Sequence, residues 1–533
     1  MSADTIRVLI PELIVVLTAT LIYLAGAYLP GKKFWAGVGL AGLVAAGFAL
    51  TGQYEKLFWP AGATEPLLTA NVGGPLAVDL LGQYVRLLAL VVGAVFVLVA
   101  ARPQNEELVP EVIGTLLMAT AGLMLVGGAR DLTLLFLGLE LISIPTYILL
   151  FLGRKDGSSS ESAAKYFFLS ILSSGITLYG FSYLYGVGGS TRLDEIAAAL
   201  QAGLAKAGSA PLFAQLALVL VTAGLGFKIA AVPFHFYAPD VYQGTTHANA
   251  AVLAVLPKIA GIVALVRIVS VALPGTEETA VRLLLILAMV TMTLGNITAL
   301  WQDDVRRMLA YSSIAHAGYM LVGLAVDFAA RKANLPGVDG IGATLFYTAA
   351  YSLATAGLFS AFAYMGGPNR SLDKIDDLAG IGRTCPGTAL AAAIFLFSLA
   401  GIPPMPGFFG KFELFYGAVQ VGLSGDIVAP DGSNPLAKIA PWFLVLAIVG
   451  MLNAAISAAY YLRLIGAMYF RPAVGEAPAS AGIGPKLAVV VCLAASVGLM
   501  LSPGGITGAS NGAARSARAV AAPAPTATVA VAK

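Results

Sequence analysis

Long apolar runs separated by short polar segments repeat along almost the whole chain. A helix that crosses a lipid bilayer needs about 20 mostly apolar residues. Runs of that length predict about fourteen membrane-spanning helices, called predicted spans below and numbered in chain order. They cover residues 7–29, 34–50, 78–101, 109–128, 131–152, 164–187, 211–236, 248–272, 280–301, 308–327, 342–366, 388–420, 441–470 and 484–502. The pattern therefore predicts an all-α polytopic membrane protein.

The composition agrees with a chain surrounded mostly by lipid. Only 11% of the 533 residues are charged, 31 Lys or Arg and 28 Asp or Glu, whereas 58% are hydrophobic. A soluble protein carries about 25% charged residues, so this balance excludes intrinsic disorder and argues against a water-soluble enzyme of several domains. The net charge of +3 is too small and too dispersed for a nucleic-acid-binding surface. The expected surroundings are therefore a lipid bilayer, with no nucleic acid as a partner.

Cysteine and histidine residues give no sign of a bound metal or redox centre. Cys385 and Cys492 lie far apart in a chain with no CxxC pair, which argues against a disulfide framework, a zinc site or an iron–sulfur cluster. His235, His247 and His316 lack metal-ligand spacing. The sequence therefore predicts no metal site and no cofactor-binding site in this chain.

Basic residues in short loops predict the orientation of the chain, because loops rich in Lys and Arg stay in the cytoplasm. An even number of spans puts both termini on one side of the membrane. The loops on the opposite side are short and basic, so both termini are predicted to lie on the non-cytoplasmic side of an inner (plasma) membrane. The basic loop residues include Lys32, Lys33, Arg154, Lys155, Arg306 and Arg307.

A few ionisable residues lie well inside predicted spans, where each costs about 2.5 to 3.5 kcal/mol on insertion scales. They are Glu140, Lys228, Lys258 and Lys411, while Lys165 lies nearer a helix end. Such a cost is tolerated where the residues face water or protein and interact with one another. These residues therefore predict a hydrated path through the membrane.

Two interpretations of Glu140 and Lys228 stay open. Burial disfavours the charged form of both groups, so they can load and release protons, and a change in their separation switches their proton affinity. The alternative is a static ion pair that clips two helices together. Lys165 is either a relay member or a side chain that extends to the headgroups. Lys258 and Lys411 have no carboxylate nearby in sequence, which suits a proton relay better than a clip.

Proline-rich segments adjoin two of these lysines. Pro233 follows Lys228, and a second such segment precedes Lys411. Proline lacks an amide donor and clashes with the preceding turn, so the seventh and twelfth spans are predicted to be broken helices. The residues of the second break are Pro403, Pro404, Pro406 and Gly407. Proline kinks are common in membrane helices, but a lysine beside each break favours a shared function.

Broken spans at corresponding places in two halves are typical of transporters built from inverted repeats. The two breaks lie five spans apart, which predicts repeats at residues 109–272 and 280–470. Residues 1–108 then form three N-terminal helices, and residues 471–503 form the last span. Residues 504–533 are rich in Ala, Pro, Ser and Thr without periodicity, which predicts a disordered tail.

Polar side chains between the lysines are able to pass protons together with ordered water. Most Ser, Thr and Tyr residues in membrane helices serve as interhelical hydrogen-bonding groups instead. A neutral imidazole accepts a proton at one nitrogen and donates from the other. This property favours His235 and His316 as relay members.

Five motifs together resemble the antiporter-like membrane subunits of proton-pumping NADH-quinone oxidoreductase, respiratory complex I. The resemblance runs from the first predicted span to the last. The motifs are GLELISIPTY with Glu140, AAKYFF with Lys165, GFKIAAVPFHFYAPDVYQG with Lys228 and His235, LPKIAG with Lys258, and AGIPPMPGFFGKF with Lys411. Within this family, the lysine of the twelfth span resembles subunit N rather than M, and the chain lacks the long lateral helix expected of subunit L.

The resemblance implies two inverted five-helix repeats and a role for each buried residue. Glu140 and Lys228 would form a pair that opens and closes as the pump cycles, and Lys165 would tune the glutamate. Lys258 would be the central connecting lysine. By the same resemblance, His235 and His316 would support the water chain, and Lys411 would exchange protons with the far side or the neighbouring subunit.

The resemblance also implies that the redox chemistry belongs to partner subunits. NADH oxidation, FMN, the iron–sulfur clusters and quinone reduction are expected there, and this chain is expected to be a proton-translocating subunit of the enzyme. Its partners would be the other membrane and peripheral subunits, especially neighbouring antiporter-like and small membrane subunits. Two alternatives stay open: a subunit of a multi-subunit cation/proton antiporter, and a structural membrane scaffold.

Overall fold

A computed structural model describes residues 3–29, 32–53, 74–101, 108–153, 156–208, 210–366, 372–426, 436–473 and 482–519. Of the basic loop residues named above, Arg154 and Lys155 lie outside these described residues, as does the 520–533 part of the predicted tail. The described residues form helices and turns without a β-strand.

Nineteen α-helices follow one another in the described part of the chain. Their bounds are α1 Ala3–Gly26, α2 Lys32–Thr51, α3 Leu80–Ala100, α4 Val109–Gly128, α5 Leu132–Gly153, α6 Gly157–Gly188, α7 Leu193–Ala207, α8 Leu212–Ile229, α9 Ala238–Gln243, α10 His247–Arg267, α11 Glu277–Leu300, α12 Val305–Lys332, α13 Gly340–Gly366, α14 Ile381–Thr384, α15 Pro386–Ala400, α16 Pro406–Leu423, α17 Ala440–Phe470, α18 Ile483–Leu501 and α19 Pro503–Ala519. A π-helical turn, Ile268–Ala272, continues α10, and a 3-10 turn, Ile375–Leu378, precedes α14.

The predicted all-α polytopic fold is confirmed. Thirteen of the described helices are long and apolar enough to cross a membrane. The remaining predicted span, residues 388–420, is made of the two shorter helices α15 and α16. Within each continuous helix the backbone groups hydrogen-bond one another, which is what the bilayer core requires.

Both predicted helix breaks are present. Helix α8 ends at Ile229, and Ala230 follows with a left-handed φ of 58°. Pro233 lies in the turn before α9, where no helical hydrogen bond is required of it. Helix α15 ends before Gly401, whose φ of 83° suits a residue without a side chain. The three prolines at 403, 404 and 406 separate α15 from α16 or begin α16.

The helix order is the same in the two halves drawn from the sequence. In residues 109–272, three helices, α4 to α6, precede the broken segment of α8 and α9, and α10 follows. In residues 280–470, α11 to α13 precede the broken segment of α15 and α16, and α17 follows. The inverted relation between the halves stays a prediction. Almost all residues of α10, α12 and α13 are buried, so these helices form the centre of the molecule.

Four helices lie outside the predicted spans: the short helices α9 and α14, and the longer helices α7 and α19. Helix α7 lies in a predicted loop, and Leu193, Ile196 and Leu200 are buried on one of its faces. The prediction of a disordered tail from residue 504 is wrong as far as residue 519, because α19 occupies Pro503–Ala519. Contacts with distant parts of the chain hold this helix in place, because the Arg518 guanidinium binds both the buried Asp327 and the half-buried Asp339.

Candidate functional site

Lys228 lies in the last turn of α8 and faces a cluster of oxygen atoms. Its Nζ is 3.4 Å from Oε1 of Glu140 on α5. It also donates to Ser143 Oγ at 2.6 Å and lies 3.2 Å from Ser170 Oγ on α6. Ser174 Oγ donates to the same Glu140 oxygen at 2.5 Å. The Lys228 side chain is 3% exposed and that of Glu140 is 20% exposed, so the ammonium is buried while the carboxylate reaches the edge of the fold.

Close packing of α6 against α8 brings the serines to Lys228. A Cβ added at Gly224 of α8 would lie 3.0 Å from the Ser173 carbonyl oxygen and closer still to the Thr177 side chain. The Ser173 hydroxyl donates to the Gly224 carbonyl at 2.8 Å. A small residue at such a crossing lets two membrane helices approach closely. One turn further along α8, Lys228 is therefore held within reach of α6.

Lys258 lies on α10 in the centre of the molecule and contacts no carboxylate within ion-pair distance in the described part of the chain. Its Nζ donates to the carbonyl and hydroxyl oxygens of Ser313 on α12, the latter at 2.7 Å. The Tyr351 ring centroid lies 5.2 Å from the same nitrogen. The Tyr351 hydroxyl donates to Ser313 Oγ at 2.9 Å, and the Tyr242 hydroxyl lies 3.4 Å from it. Lys258 is thus held by neutral groups that are able to donate and accept protons.

His316 lies one turn beyond Ser313 on α12 and joins two tyrosine hydroxyls. Its Nδ1 is 2.5 Å from the Tyr347 hydroxyl, and its Nε2 is 2.9 Å from the Tyr461 hydroxyl of α17. Tyr461 also hydrogen-bonds the Ser312 hydroxyl. Both ring nitrogens therefore have a partner that accepts or donates, as a proton-passing imidazole requires.

Lys411 of α16 lies at the second helix break and contacts the end of α15. Its Nζ donates to the carbonyl oxygens of Leu399 at 2.9 Å and Ala400 at 3.0 Å, which are the last two residues of α15. A cation at this place is favoured because the C-terminus of a helix carries partial negative charge. The Tyr319 ring centroid lies 4.9 Å from the nitrogen. At the neighbouring Gly410, a Cβ would lie 2.6 Å from the Tyr347 ring, so glycine is needed for α16 to approach α13.

A row of adjacent groups connects the three lysines. The Tyr351 ring lies between Lys258 and His316, whose ring centroid is 4.8 Å away. The His316 and Tyr319 centroids are 5.8 Å apart, and Tyr319 contacts Lys411. At the other end, α10 packs directly on Lys228: a Cβ on Gly261, one turn beyond Lys258, would lie 3.4 Å from the Lys228 Cβ. Ring contacts therefore join Lys258 to Lys411, and helix packing brings α8, which carries Lys228, beside the helix of Lys258.

Lys165 and His235 lie away from this row. Lys165 pairs with Glu161 at 2.6 Å and with Asp240 at 3.1 Å rather than with Glu140. Arg307 also binds Asp240, at 2.7 Å. Burial raises the pKa of Asp240, but the hydrogen bonds from Lys165 and Arg307 outweigh burial and hold the pKa below its usual value. His235 is half-buried, and its buried Nδ1 finds no hydrogen-bond partner among the described residues.

Sequence reasoning missed several members of the row. Ser170, Tyr242 and Tyr461 contact Lys228, Ser313 and His316, yet serine and tyrosine are too common in membrane helices to be singled out from sequence. Sequence reasoning also missed two pairs of charged residues, although the cost of placing a charge inside a span is enough to identify such residues. The pairs Glu12 with Arg86 and Asp79 with Arg267 are buried outside the row, at 2.7 Å and 2.8 Å. Among the described residues, no group of three His, Cys, Asp or Glu side chains is placed to hold a metal ion.

Comparisons with known proteins agree with this architecture. The family model described as NADH:quinone oxidoreductase/Mrp antiporter, TM, matches residues 129–429. NADH-quinone oxidoreductase subunit N of Trichlorobacter lovleyi is 38% identical over 88% of this chain and 89% of that protein. A chain of respiratory complex I from Thermus thermophilus is 30% identical, with a TM-score of 0.72 over 93% of this chain and 98% of that one. A chain of the Mrp complex from a Dietzia species shares the fold, with a TM-score of 0.75, 20% identity and coverage of 98% and 100%.

Proposed function

The chain belongs to the family of NADH-quinone oxidoreductase subunit N, and on this basis we propose that its buried row of lysines carries protons across the membrane. The chain is a multi-pass membrane subunit of a proton-translocating oxidoreductase complex. The observation that carries the proposal is the run of ring contacts from Lys258 through His316 to Lys411, with the pair of Glu140 and Lys228 packed against the helix of Lys258.

The pair at the start of the row is suited to loading and releasing a proton. Two unit charges 4 Å apart attract each other by about 4 kcal/mol at an effective dielectric constant of about 20. Moving one proton against 100 mV costs about 2.3 kcal/mol. Separating Glu140 from Lys228, which lie 3.4 Å apart, therefore changes the stability of the lysine ammonium by enough to drive its proton onwards.

The rest of the row passes that proton by exchange between neutral and charged forms. Lys258 accepts it as an amine and is held by Ser313 in either form, because a serine hydroxyl both donates and accepts. His316 lies against the Tyr319 ring, which contacts Lys411 and so extends the row to it. In this proposal Lys165 acts from the edge through Asp240, and His235 supports water near the first break.

The energy for transport comes from partner chains in this proposal. FMN, the iron–sulfur clusters, NADH oxidation and quinone reduction belong to those partners, which include neighbouring antiporter-like and small membrane subunits. The complex lies in the inner (plasma) membrane, with both termini of this chain on the non-cytoplasmic side. The basic residues Arg306 and Arg307, at the start of α12, then lie at the cytoplasmic side.

Replacement of Lys228 by alanine tests the proposal in the purified, assembled complex reconstituted into liposomes. Proton uptake is followed with a pH-sensitive dye while NADH oxidation is recorded in the same sample. We expect Lys228→Ala to lower the ratio of protons moved to NADH oxidised while the complex stays assembled. The matched control is Lys206→Ala, which changes an exposed lysine of α7 and leaves the ratio unchanged.

Normal pumping by an assembled Lys228→Ala complex would remove Lys228 from the relay. Failure to assemble, with normal pumping by the fraction that does, would favour the static ion pair instead. Proton uptake that depends on a sodium gradient and not on NADH would favour a cation/proton antiporter. The fold shared with the Mrp complex chain makes this last outcome the relevant alternative.

A further inference from the structure

A set of buried polar side chains lies between α11, α12 and α17, beside the row. Asn296 of α11 is its central member and is fully buried. The Asn296 amide nitrogen lies 3.0 Å from the Tyr319 hydroxyl of α12 and 3.2 Å from Oδ1 of Asn453 on α17. The Asn296 amide oxygen accepts from the Tyr460 hydroxyl of α17 at 3.0 Å. One asparagine therefore joins three helices inside the membrane.

The direction of the Asn296 amide is fixed by its own helix. The amide nitrogen donates to the Met292 carbonyl oxygen at 2.9 Å, and a carbonyl oxygen accepts hydrogen bonds but cannot donate them. The nitrogen must therefore face Met292, and this same nitrogen faces the Tyr319 hydroxyl. Asn453 is held in turn, because its amide nitrogen donates to the Thr293 hydroxyl at 3.1 Å. The Tyr319 hydroxyl is therefore the acceptor of a hydrogen bond from Asn296.

Close packing of α11 against α12 brings Asn296 to Tyr319. Gly295 precedes Asn296 in the chain, and Gly318 precedes Tyr319. A Cβ added at either glycine would lie 2.6 Å from a backbone nitrogen of the facing helix. Glycine is therefore needed at both positions, since small residues let two membrane helices approach closely. The hydrogen bond between Asn296 and Tyr319 thus lies where the two helices cross.

The ring of Tyr319 meets the Lys411 ammonium. The Leu399 and Ala400 carbonyl oxygens engage two of the three N–H groups of this lysine. The Tyr319 ring centroid lies 4.9 Å from the nitrogen, within the range at which an aromatic face attracts a cation. The same ring packs against His316, with the centroids 5.8 Å apart. A turn of the Tyr319 ring away from this place would therefore separate His316 from Lys411.

We propose that Asn296 is a positioning residue of the proton relay: its amide holds the Tyr319 hydroxyl, and this hydrogen bond keeps the Tyr319 ring against the Lys411 ammonium. The proposal rests on the proposed proton transport. The alternative is that Asn296 only joins α11 to its neighbours, as polar side chains in membrane helices often do. The two roles differ in their effects, because a purely structural asparagine changes the stability of the complex and not the movement of protons.

The first test compares Asn296→Ala, Tyr319→Phe and the double variant in the assembled complex in liposomes. The proton uptake per NADH that Lys258→Met removes is the part attributed to this chain. An interhelical hydrogen bond in a membrane changes an equilibrium about threefold, so we expect each single variant to lower this part about threefold. Because both changes remove the same hydrogen bond, the double variant is expected to lower it no further.

The matched control is Asn249→Ala. Asn249 of α10 is also a buried asparagine, and its amide donates across a helix interface to the Leu149 carbonyl of α5 at 2.6 Å. We expect Asn249→Ala and Asn296→Ala both to lower the temperature at which the chain leaves the complex. Only Asn296→Ala is expected to lower proton uptake as well.

The second measurement does not depend on pumping. Tyr319→4-cyanophenylalanine places a nitrile at the position of the hydroxyl, and the infrared stretching frequency of a nitrile rises when its nitrogen accepts a hydrogen bond. We expect this frequency in the purified complex to fall when Asn296→Ala is added. It is expected to stay the same when Asn249→Ala is added.

Normal proton uptake by assembled Asn296→Ala would overturn the proposal, as would a nitrile frequency that does not respond to Asn296→Ala. A double variant with a loss of about ninefold, the product of two independent effects, would overturn it too. If Asn296→Ala does not assemble, Tyr319→Phe removes the same hydrogen bond, and its uptake supports the proposal when it falls and overturns it when it is normal. Normal uptake by Lys258→Met contradicts the relay but leaves the nitrile result intact, so the two failures are distinguishable.

Discussion

Lys228 and Lys411 each lie beside a broken helix, but their ammonium groups meet different partners. Lys228 contacts the Glu140 carboxylate and the serine hydroxyls around it. Lys411 contacts two backbone carbonyls at the end of α15 and the ring of Tyr319. A carboxylate changes charge when it gains or loses a proton, whereas a backbone carbonyl group does not. The first site is therefore built for switching, and the second for holding a proton until it is released.

The largest expected effect comes from removing the charge that distinguishes the two sites. Glu140→Gln keeps the shape and the hydrogen bond from Ser174 but removes an attraction of about 4 kcal/mol. We therefore expect the part of pumping per NADH that is attributed to this chain to fall at least about tenfold. Dye-monitored proton uptake in liposomes measures this ratio. The control Glu278→Gln breaks surface pairs with Arg282 and Lys332, each worth at most about 1 kcal/mol. Equal pumping by both variants would show that the pair does not switch.

At the second site, two replacements of Lys411 are expected to affect the stability of the complex differently but to impair proton release alike. Lys411→Met leaves the Leu399 and Ala400 carbonyls without their donor, at a cost of about 1 to 3 kcal/mol each. Lys411→Arg restores donors but stays protonated. We expect the methionine variant to leave the complex at a lower temperature than the unchanged chain. The arginine variant is expected to leave at nearly the same temperature as the unchanged chain. Both variants are expected to pump poorly, and normal pumping by Lys411→Arg would reduce Lys411 to a structural cap.

A smaller effect is expected from single hydroxyl groups at the two sites. Ser174→Ala removes a hydrogen bond to Glu140, worth about 1.5 to 3 kcal/mol for a charged acceptor, and is expected to slow pumping. Ser398→Ala removes the acceptor for the Gly407 amide at the second break. It is therefore expected to lower the heat stability of the complex without slowing pumping. Initial rates of NADH-driven proton uptake, compared with heat-stability profiles, separate the two results. The same response from both variants would contradict the proposed difference between the sites.

Much of the fold follows from two properties of the sequence. Apolar runs of membrane length predict the spans, and the prolines at 233, 403, 404 and 406 predict where two of them break. Helix α7 is not predicted because its 15 residues are too few for a span. Helix α19 is not predicted because its Ala, Gly and Ser residues resemble a disordered tail. An ion pair between Arg518 and the distant Asp327 stabilises it, and the sequence does not show that contact.

The candidate site also has members that the sequence predicts and members that it does not. Glu140, Lys228, Lys258 and Lys411 stand out in the sequence because a charge in a membrane helix is costly. The hydroxyl groups that join them do not stand out, since the cost of burying a tyrosine or serine is met by any nearby carbonyl. Lys165 shows the limit of sequence reasoning, because its pairing with Asp240 instead of Glu140 depends on the short helix α9, which follows the first helix break.

Lys258 lies between the two compared sites, and its replacement tests the central claim that one row connects them. The measurement is the number of protons moved per NADH oxidised by the assembled Lys258→Met complex in liposomes. Methionine keeps most of the length of the side chain but cannot bind a proton. The predicted result is loss of most of the pumping attributed to this chain while NADH oxidation continues. Pumping equal to that of the unchanged complex would contradict a proton path through the row.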